Sequence, residues 1–156
     1  MHRTRFTWPA LLGAAILLLA IPLAAACGGD DGEAHADDTS VTSVVSAVTY
    51  LDGLGLHGID DSINKDQKIP ADARAKALKA QAVAKTAPWP AELKPKADAL
   101  AAIFGEMAAA LEGDSPDLAK AGAAAKKAHD AEHEFADAAW AWIFEQAGIE
   151  GPGHGH

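Results

Sequence analysis

The stretch AELKPKADALAAIFGEMAAALE, residues 91–112, carries apolar side chains at alternating spacings of four and three residues. These spacings place the side chains on one stripe of an α-helix, which is the pattern of a seam between packed helices. The stripe consists of Leu93, Ala97, Leu100, Phe104, Met107 and Leu111. Residues 91–112 therefore predict a helix that packs in a bundle.

The residues before this helix predict two more. Residues 40–64 place an apolar stripe on one side at 100° per residue, which favours a helix despite the β-branched valines. Three glycines weaken this helix in its middle, namely Gly53, Gly55 and Gly58. A second helix is expected from about Pro70, a favoured first-turn residue, to the proline corner at residues 88–90.

A long fourth helix is predicted from about Pro116 to Ala147. Gly113 closes the preceding helix, while Ser115 and Asp117 supply a cap and an early negative charge for the new one. Its inward positions would be Leu118, Gly122, Ala125, His129, Glu132, Ala136, Ile143 and Ala147. Four helices joined by short loops predict an all-α fold, a monomeric, antiparallel up-down four-helix bundle over residues 39–148.

The N-terminal segment predicts export and a membrane anchor. Residues 1–26 run from a short basic segment through an apolar core into small residues, the layout of a signal peptide. The ending LAAAC resembles a lipobox, which implies a bacterial lipoprotein with a lipidated Cys27, although Leu23 lies one position further from the cysteine than is common. The alternative is an uncleaved transmembrane anchor. Residues 27–38 read as an acidic, glycine-rich tether and residues 149–156 as a flexible tail.

Composition excludes several classes of function. The chain has 13 Lys and Arg against 22 Asp and Glu, a formal net charge of −9, so nucleic acid is a poor partner. Cys27 is the only cysteine, so once it is lipidated the chain has no thiol left for disulfides or thiolate chemistry.

The fourth helix carries polar residues where a bundle expects leucine. In KKAHDAEHEFADAAWAWIF, residues 126–144, His129, His133 and Asp137 lie on successive turns of one stripe, and Glu132 points inward. Buried imidazoles and carboxylates are normally paired, neutralised or bound to a metal. The spacing lets two imidazoles and a carboxylate converge on one cation. The alternative is a polar layer without metal.

Two residues on other predicted helices reach the same level of the bundle. At about 1.5 Å of rise per residue, His57 and Met107 come within a few ångströms of the height of His129. A core methionine is more often a space-filling residue than a ligand. On a straight helix His57 would face away from the valine stripe, so it reaches the core only if the glycines kink or rotate the helix.

The segment GLHGID, Gly55 to Asp60, resembles the G-x-H-x-x-E motif of the imelysin-like (M75) periplasmic lipoproteins, which are associated with iron uptake. The likeness covers six residues, and Asp60 stands where that motif has glutamate. The resemblance implies iron binding at His57 and Asp60.

Other functions remain open from sequence. His129 to His133 match H-x-x-E-H, the zinc motif of inverzincin proteases, but that family needs an acidic ligand further downstream than this chain extends. Histidine and methionine from different helices also suit b-type haem. A cofactor-free scaffold is a further alternative, with Trp89, Trp140 and Trp142 as a satellite core or a contact surface.

We therefore expect a non-enzymatic, extracytoplasmic lipoprotein that binds a transition-metal ion in a carrier, scavenging or sensing role. The candidate ligands are His57, Asp60, Met107, His129, Glu132, His133 and Asp137. Copper, iron and zinc all suit parts of this set.

Substitution of Cys27 tests the anchor. Cys27→Ser should abolish lipid labelling and leave the precursor unprocessed, because the modified thiol is what the lipoprotein signal peptidase recognises. Mass spectrometry of the wild-type membrane fraction should find a chain that begins at lipidated Cys27. An intact chain that retains Met1 would contradict the prediction.

Overall fold

The computed structural model describes residues 40–150, and all regular secondary structure within that range is helical. The helices are α1 Val41–Asp52, α2 Leu56–Asn64, α3 Ala73–Thr86, α4 Lys94–Ala110 and α5 Leu118–Gln146. None of them combines the length and apolarity needed to cross a bilayer. The predicted signal peptide, Cys27, the tether and residues 151–156 lie outside the described residues.

The first predicted helix is two helices. The side chain of Ser40 caps α1 by accepting a hydrogen bond from the backbone N–H of Ser43. Gly53 ends α1, and Gly55, with φ +68° and ψ 45°, precedes the first residue of α2. A left-handed conformation costs an ordinary residue about 1–2 kcal/mol but is freely available to glycine. The glycines that were expected to weaken the predicted helix therefore divide it into α1 and α2.

α3 and α4 form the pair with the most extensive contact. Arg74, near the start of α3, forms an ion pair with Glu112, which follows the end of α4. Further along α3, the side chain of Gln81 lies against Gly105. The contacts run in opposite order along the two helices, so this pair is antiparallel. α5 packs against α4 on one side and against α1 and α2 on the other, while α1 also touches α3.

Alanines on α3 allow the close approach of its neighbours. The side of α3 that packs inward is a column of alanines with no exposed surface, Ala73, Ala77, Ala80 and Ala84. α4 contributes large side chains, of which Leu100, Phe104 and Met107 are almost completely buried, and α1 and α2 contribute others. Small residues on one helix thus accommodate large ones on another, which is how close-packed cores fill space. The predicted stripe of residues 91–112 is confirmed as core.

α5 buries a broader face than its sequence predicts. Gly122, Ala125, Glu132 and Ile143 are buried as expected, but Ala147 is exposed at the end of the helix. Leu118, His129 and Ala136 are only partly buried. The side chains that were not expected inside are Ala121, Ala128, Phe135 and Ala139. The difference arises because α5 contacts helices on two sides and therefore buries two neighbouring stripes.

The tryptophans are divided between the core and the surface. Trp89 is buried at the corner between α3 and α4, donates its Nε1–H to the carbonyl of Ala84 at 2.8 Å, and packs edge-on against Phe135. Trp142 is partly buried against the core, whereas Trp140 is 36% exposed. The satellite-core interpretation therefore suits Trp89 and Trp142 better than Trp140.

A close contact between α2 and α5 requires glycine at position 122. The side-chain amide of Asn64 donates to the carbonyl of Gly122 at 3.0 Å and to Asp60 Oδ1 at 2.6 Å. A Cβ atom at position 122 would lie 2.2 Å from Asn64 Oδ1. Alanine there would force Asn64 to move and to give up both hydrogen bonds.

Gly122→Ala should lower the free energy of unfolding by about 1 kcal/mol, since the two lost hydrogen bonds outweigh the gain in helix propensity. Gly105→Ala is the matched control. Its Cβ would meet only the terminal amide group of Gln81, with the nitrogen at 2.5 Å, which is the mobile end of a long side chain. Urea unfolding of both variants measures the difference. If Gly122→Ala stabilises the protein as much as Gly105→Ala does, position 122 does not require glycine.

Candidate metal centre

Three histidines from two helices converge on one point. His57 lies in the first turn of α2, and His129 and His133 lie one turn apart on α5. His129 Nε2 is 3.2 Å from His57 Nδ1 and 2.9 Å from His133 Nε2. The structure thus brings together the three histidines that the sequence predicts as ligands.

Asp60 fixes the orientation of the central ring. Its Oδ2 lies 3.1 Å from His129 Nδ1, and both side chains are largely buried, at 14% and 13% exposure. An ionised carboxylate can only accept, so Nδ1 of His129 carries the proton and donates it. In the neutral ring Nε2 then presents a lone pair to the other two histidines.

Asp60 is itself held in place. Its second oxygen, Oδ1, accepts from Asn64, whose amide also bonds to the backbone carbonyl of Gly122 on α5. Both carboxylate oxygens therefore have partners, and the side chain spans the gap between α2 and α5. Asn64 is a site residue that the sequence analysis missed, although its position four residues after Asp60 on a helix is a signal for this contact.

A second carboxylate faces the outer side of His57. Asp61 Oδ2 lies 3.5 Å from His57 Nε2, and Asp61 Oδ1 lies 2.8 Å from the ammonium of Lys65. The hydrogen bond from Lys65 is the main cause that lowers the pKa of Asp61, so this side chain is ionised at neutral pH. The negative charge favours the proton of His57 on Nε2. Nδ1 of His57 then also presents a lone pair.

Asp60 and Asp61 draw the protons of His129 and His57 to the outer ring nitrogens. The nitrogens that face each other are therefore left without protons. With the tautomers that Asp60 and Asp61 favour, His57 Nδ1 and His129 Nε2 face each other at 3.2 Å with lone pairs, and His133 Nε2 has at most one proton to donate in its neutral form. One cation at this point would satisfy all three nitrogens. As they stand, however, no group of three or more His, Cys, Asp or Glu side chains within residues 40–150 has a geometry that could hold a metal ion.

Gly55 explains how His57 reaches this position. A straight helix would turn His57 away from the bundle seam. The left-handed backbone at Gly55 starts α2 as a separate helix, and α2 packs against α5. His57 remains on the surface, with 69% of its side chain exposed, but its Nδ1 faces α5.

The other predicted ligands have different surroundings. Met107 is completely buried within the apolar core, and Asp137 is exposed on α5. Glu132 is buried, with 5% of its surface exposed, and desolvation raises the pKa of its carboxyl despite the nearby His133.

Comparisons with known proteins place the chain in no family. No family model, no curated protein and no solved structure matches it. The similarities of LAAAC to a lipobox and of GLHGID to the imelysin-like motif therefore stay predictions.

Glu132→Gln should stabilise the metal-free protein at neutral pH by roughly 1 kcal/mol, because it removes a charge whose burial is poorly compensated. The pKa of Glu132 is higher in the folded state than its ordinary value of 4.5. Folding therefore bears the full desolvation cost above the raised pKa, and the cost disappears below the unfolded value. The gain from glutamine should shrink as the pH falls from 7.5 to 4.5.

Thermal unfolding in the presence of a chelator measures this effect. Glu134→Gln is the control, because Glu134 is exposed on the same helix and its replacement should change Tm little at any pH. A Glu132→Gln protein that is less stable than wild type at pH 7.5 would show that the carboxylate is stabilised by its histidine neighbours instead.

Proposed function

We propose that this protein binds one first-row transition-metal ion through His57, His129 and His133. In this proposal it is an extracytoplasmic lipoprotein, tethered to a bacterial membrane by Cys27, that carries, scavenges or senses the metal. The observation that supports it best is the convergence of three ring nitrogens, with Asp60 hydrogen-bonded to the far nitrogen of the central ring.

The arrangement around His129 is typical of metal sites. A histidine that binds a metal through one nitrogen usually donates its other N–H to a carboxylate, which fixes the tautomer and makes the ring more basic. Asp60 accepts from His129 in this way at 3.1 Å. Asp61 lies near the outer nitrogen of His57 at the longer distance of 3.5 Å. Asp60, a predicted ligand, is thus better assigned as a residue that orients a ligand.

The distances from His129 to its two neighbouring histidines are close to those in a metal site. Zinc–nitrogen bonds of about 2.0–2.1 Å in a tetrahedral site hold neighbouring nitrogens roughly 3.3 Å apart. The nitrogens lie 3.2 and 2.9 Å from His129 Nε2. His57 and His133 are exposed, so their rings can rotate outward by a few tenths of an ångström without disturbing the core.

The donor set bears on the choice of metal. Three neutral imidazoles suit zinc and divalent copper, as well as iron and nickel. The burial of Met107 in the core argues against a thioether ligand and hence against a site built for monovalent copper. Haem is less suitable, because its axial ligands approach from opposite faces of the porphyrin, whereas the nitrogens of His57 and His133 both contact His129 Nε2.

The position of Glu132 argues for a binding role over hydrolysis. In an H-x-x-E-H hydrolase the glutamate activates the water bound to the metal. Glu132 is buried on the inner face of α5, whereas His133, its neighbour in sequence, is exposed. A carboxylate in that position is poorly placed to reach water on the exposed side of the cluster.

The experiment is a metal titration of the full chain, purified in detergent without an added histidine tag. Zinc or copper at 100 times its Kd should stabilise the protein by about 2.7 kcal/mol and raise Tm by roughly 10 °C. His129→Ala should remove this shift, and His57→Ala and His133→Ala should weaken it severely. Asp60→Ala should retain binding with about 10–100-fold lower affinity.

Two controls separate this site from other metal binding. Asp130→Ala alters an exposed residue adjacent to His129 and should leave the shift intact, as should replacement of His154 and His156 together. Circular dichroism of each variant checks that the helices are retained. If zinc, copper and iron all fail to move the melting curve of the wild-type protein, the metal proposal is wrong and the scaffold alternative takes its place.

A further inference from the structure

The histidine cluster has a closed side and an open side. On the closed side, His129 and Asp60 are 13% and 14% exposed and lie between α2 and α5. On the open side, 69% of the His57 side chain is exposed, and His133 is exposed as well. An ion held between the three nitrogens would therefore have solvent on the side of His57 and His133.

The nearest carboxylates are engaged away from the point where the rings meet. Asp60 bonds to Nδ1 of His129, the nitrogen remote from the other two rings. Asp61 lies against Nε2 of His57, again the remote nitrogen, and is paired with Lys65. Either carboxylate would have to release the ring that it orients before it could bind the metal.

The carboxylates of α5 are no better placed. Asp130 is paired with Lys126 at 2.9 Å, and Glu132 is buried. Asp137 is exposed one helical turn beyond His133, at a rise of about 6 Å along the axis. Among the described residues, Asp137 is therefore the carboxylate to test as a rival fourth ligand.

We infer that the bound metal keeps one coordination position open to solvent, where it takes an exchangeable monodentate ligand. This inference rests on the proposed metal site. The ligand is water in the absence of competitors, and a small nitrogen donor, such as imidazole or azide, replaces it. Three protein ligands with an open position are typical of sites that bind a further ligand, whereas structural sites have four protein ligands.

An open position gives the site a way to exchange its metal. A donor group that enters the fourth position can bind the ion before the histidines release it, so transfer does not require a free ion. His57 and His133 can then leave one at a time, because both are exposed. The arrangement suits a carrier or scavenger better than a permanent structural site.

Spectroscopy of the cobalt-substituted protein tests this inference. The full chain in detergent is loaded with one equivalent of Co²⁺, freed of excess metal by gel filtration, and titrated with imidazole and, separately, with azide. The visible spectrum should change saturably, with one added ligand per cobalt, while the metal stays with the protein on a second gel filtration. Asp137→Asn should give the same titration as the wild-type protein.

Three results would overturn the inference. If the protein binds one cobalt ion but neither imidazole nor azide changes its spectrum, the site has no open position. The proposed metal binding then stands, and only this inference is wrong. A titration that appears only in Asp137→Asn identifies Asp137 as the fourth ligand. If cobalt, zinc and copper all fail to bind, both this inference and the proposed function are wrong.

Discussion

The hydrogen bond between Asp60 and His129 is the interaction on which the histidine cluster depends. It crosses from α2 to α5, fixes which nitrogen of His129 carries the proton, and so determines what the ring presents to its neighbours. Asn64 holds the other oxygen of Asp60, and the absence of a side chain at Gly122 makes room for Asn64. A small backbone site on α5 thus controls the chemistry of a ring two turns away.

The alanine-rich core has a related consequence for the placement of polar residues. Small side chains on α3 and α5 let the helices approach closely, and large side chains of α1, α2 and α4 fill the interior. Little room is left inside for imidazole rings. The polar groups therefore lie at the edge of the α2–α5 interface. His129 is partly buried there, and the side chains of His57 and His133 are exposed to solvent.

Sequence periodicity predicted the helical bundle, His129 and His133, because these follow from spacing along single helices, whereas His57 was predicted from its height in the bundle and from the GLHGID resemblance. The seam of α4 was predicted correctly for this reason. The orientation of His57 was not, since it depends on the left-handed backbone of Gly55, a choice between two conformations that glycine adopts about equally well. The roles of Asn64 and Gly122 depend on contacts between helices, which spacing along one helix does not contain.

The break between α1 and α2 also bears on kinetics. α2 has nine residues, too few for a stable helix in water, so its helicity depends on packing against α5. Because the left-handed Gly55 separates α2 from α1, an opening confined to α2 would not unwind α1, although it would expose Ile59 and Ile63, which are buried in the core. Such an opening withdraws His57 and Asp60 together. In the proposed complex, the lifetime of the bound ion is therefore linked to the local unfolding equilibrium of one short helix.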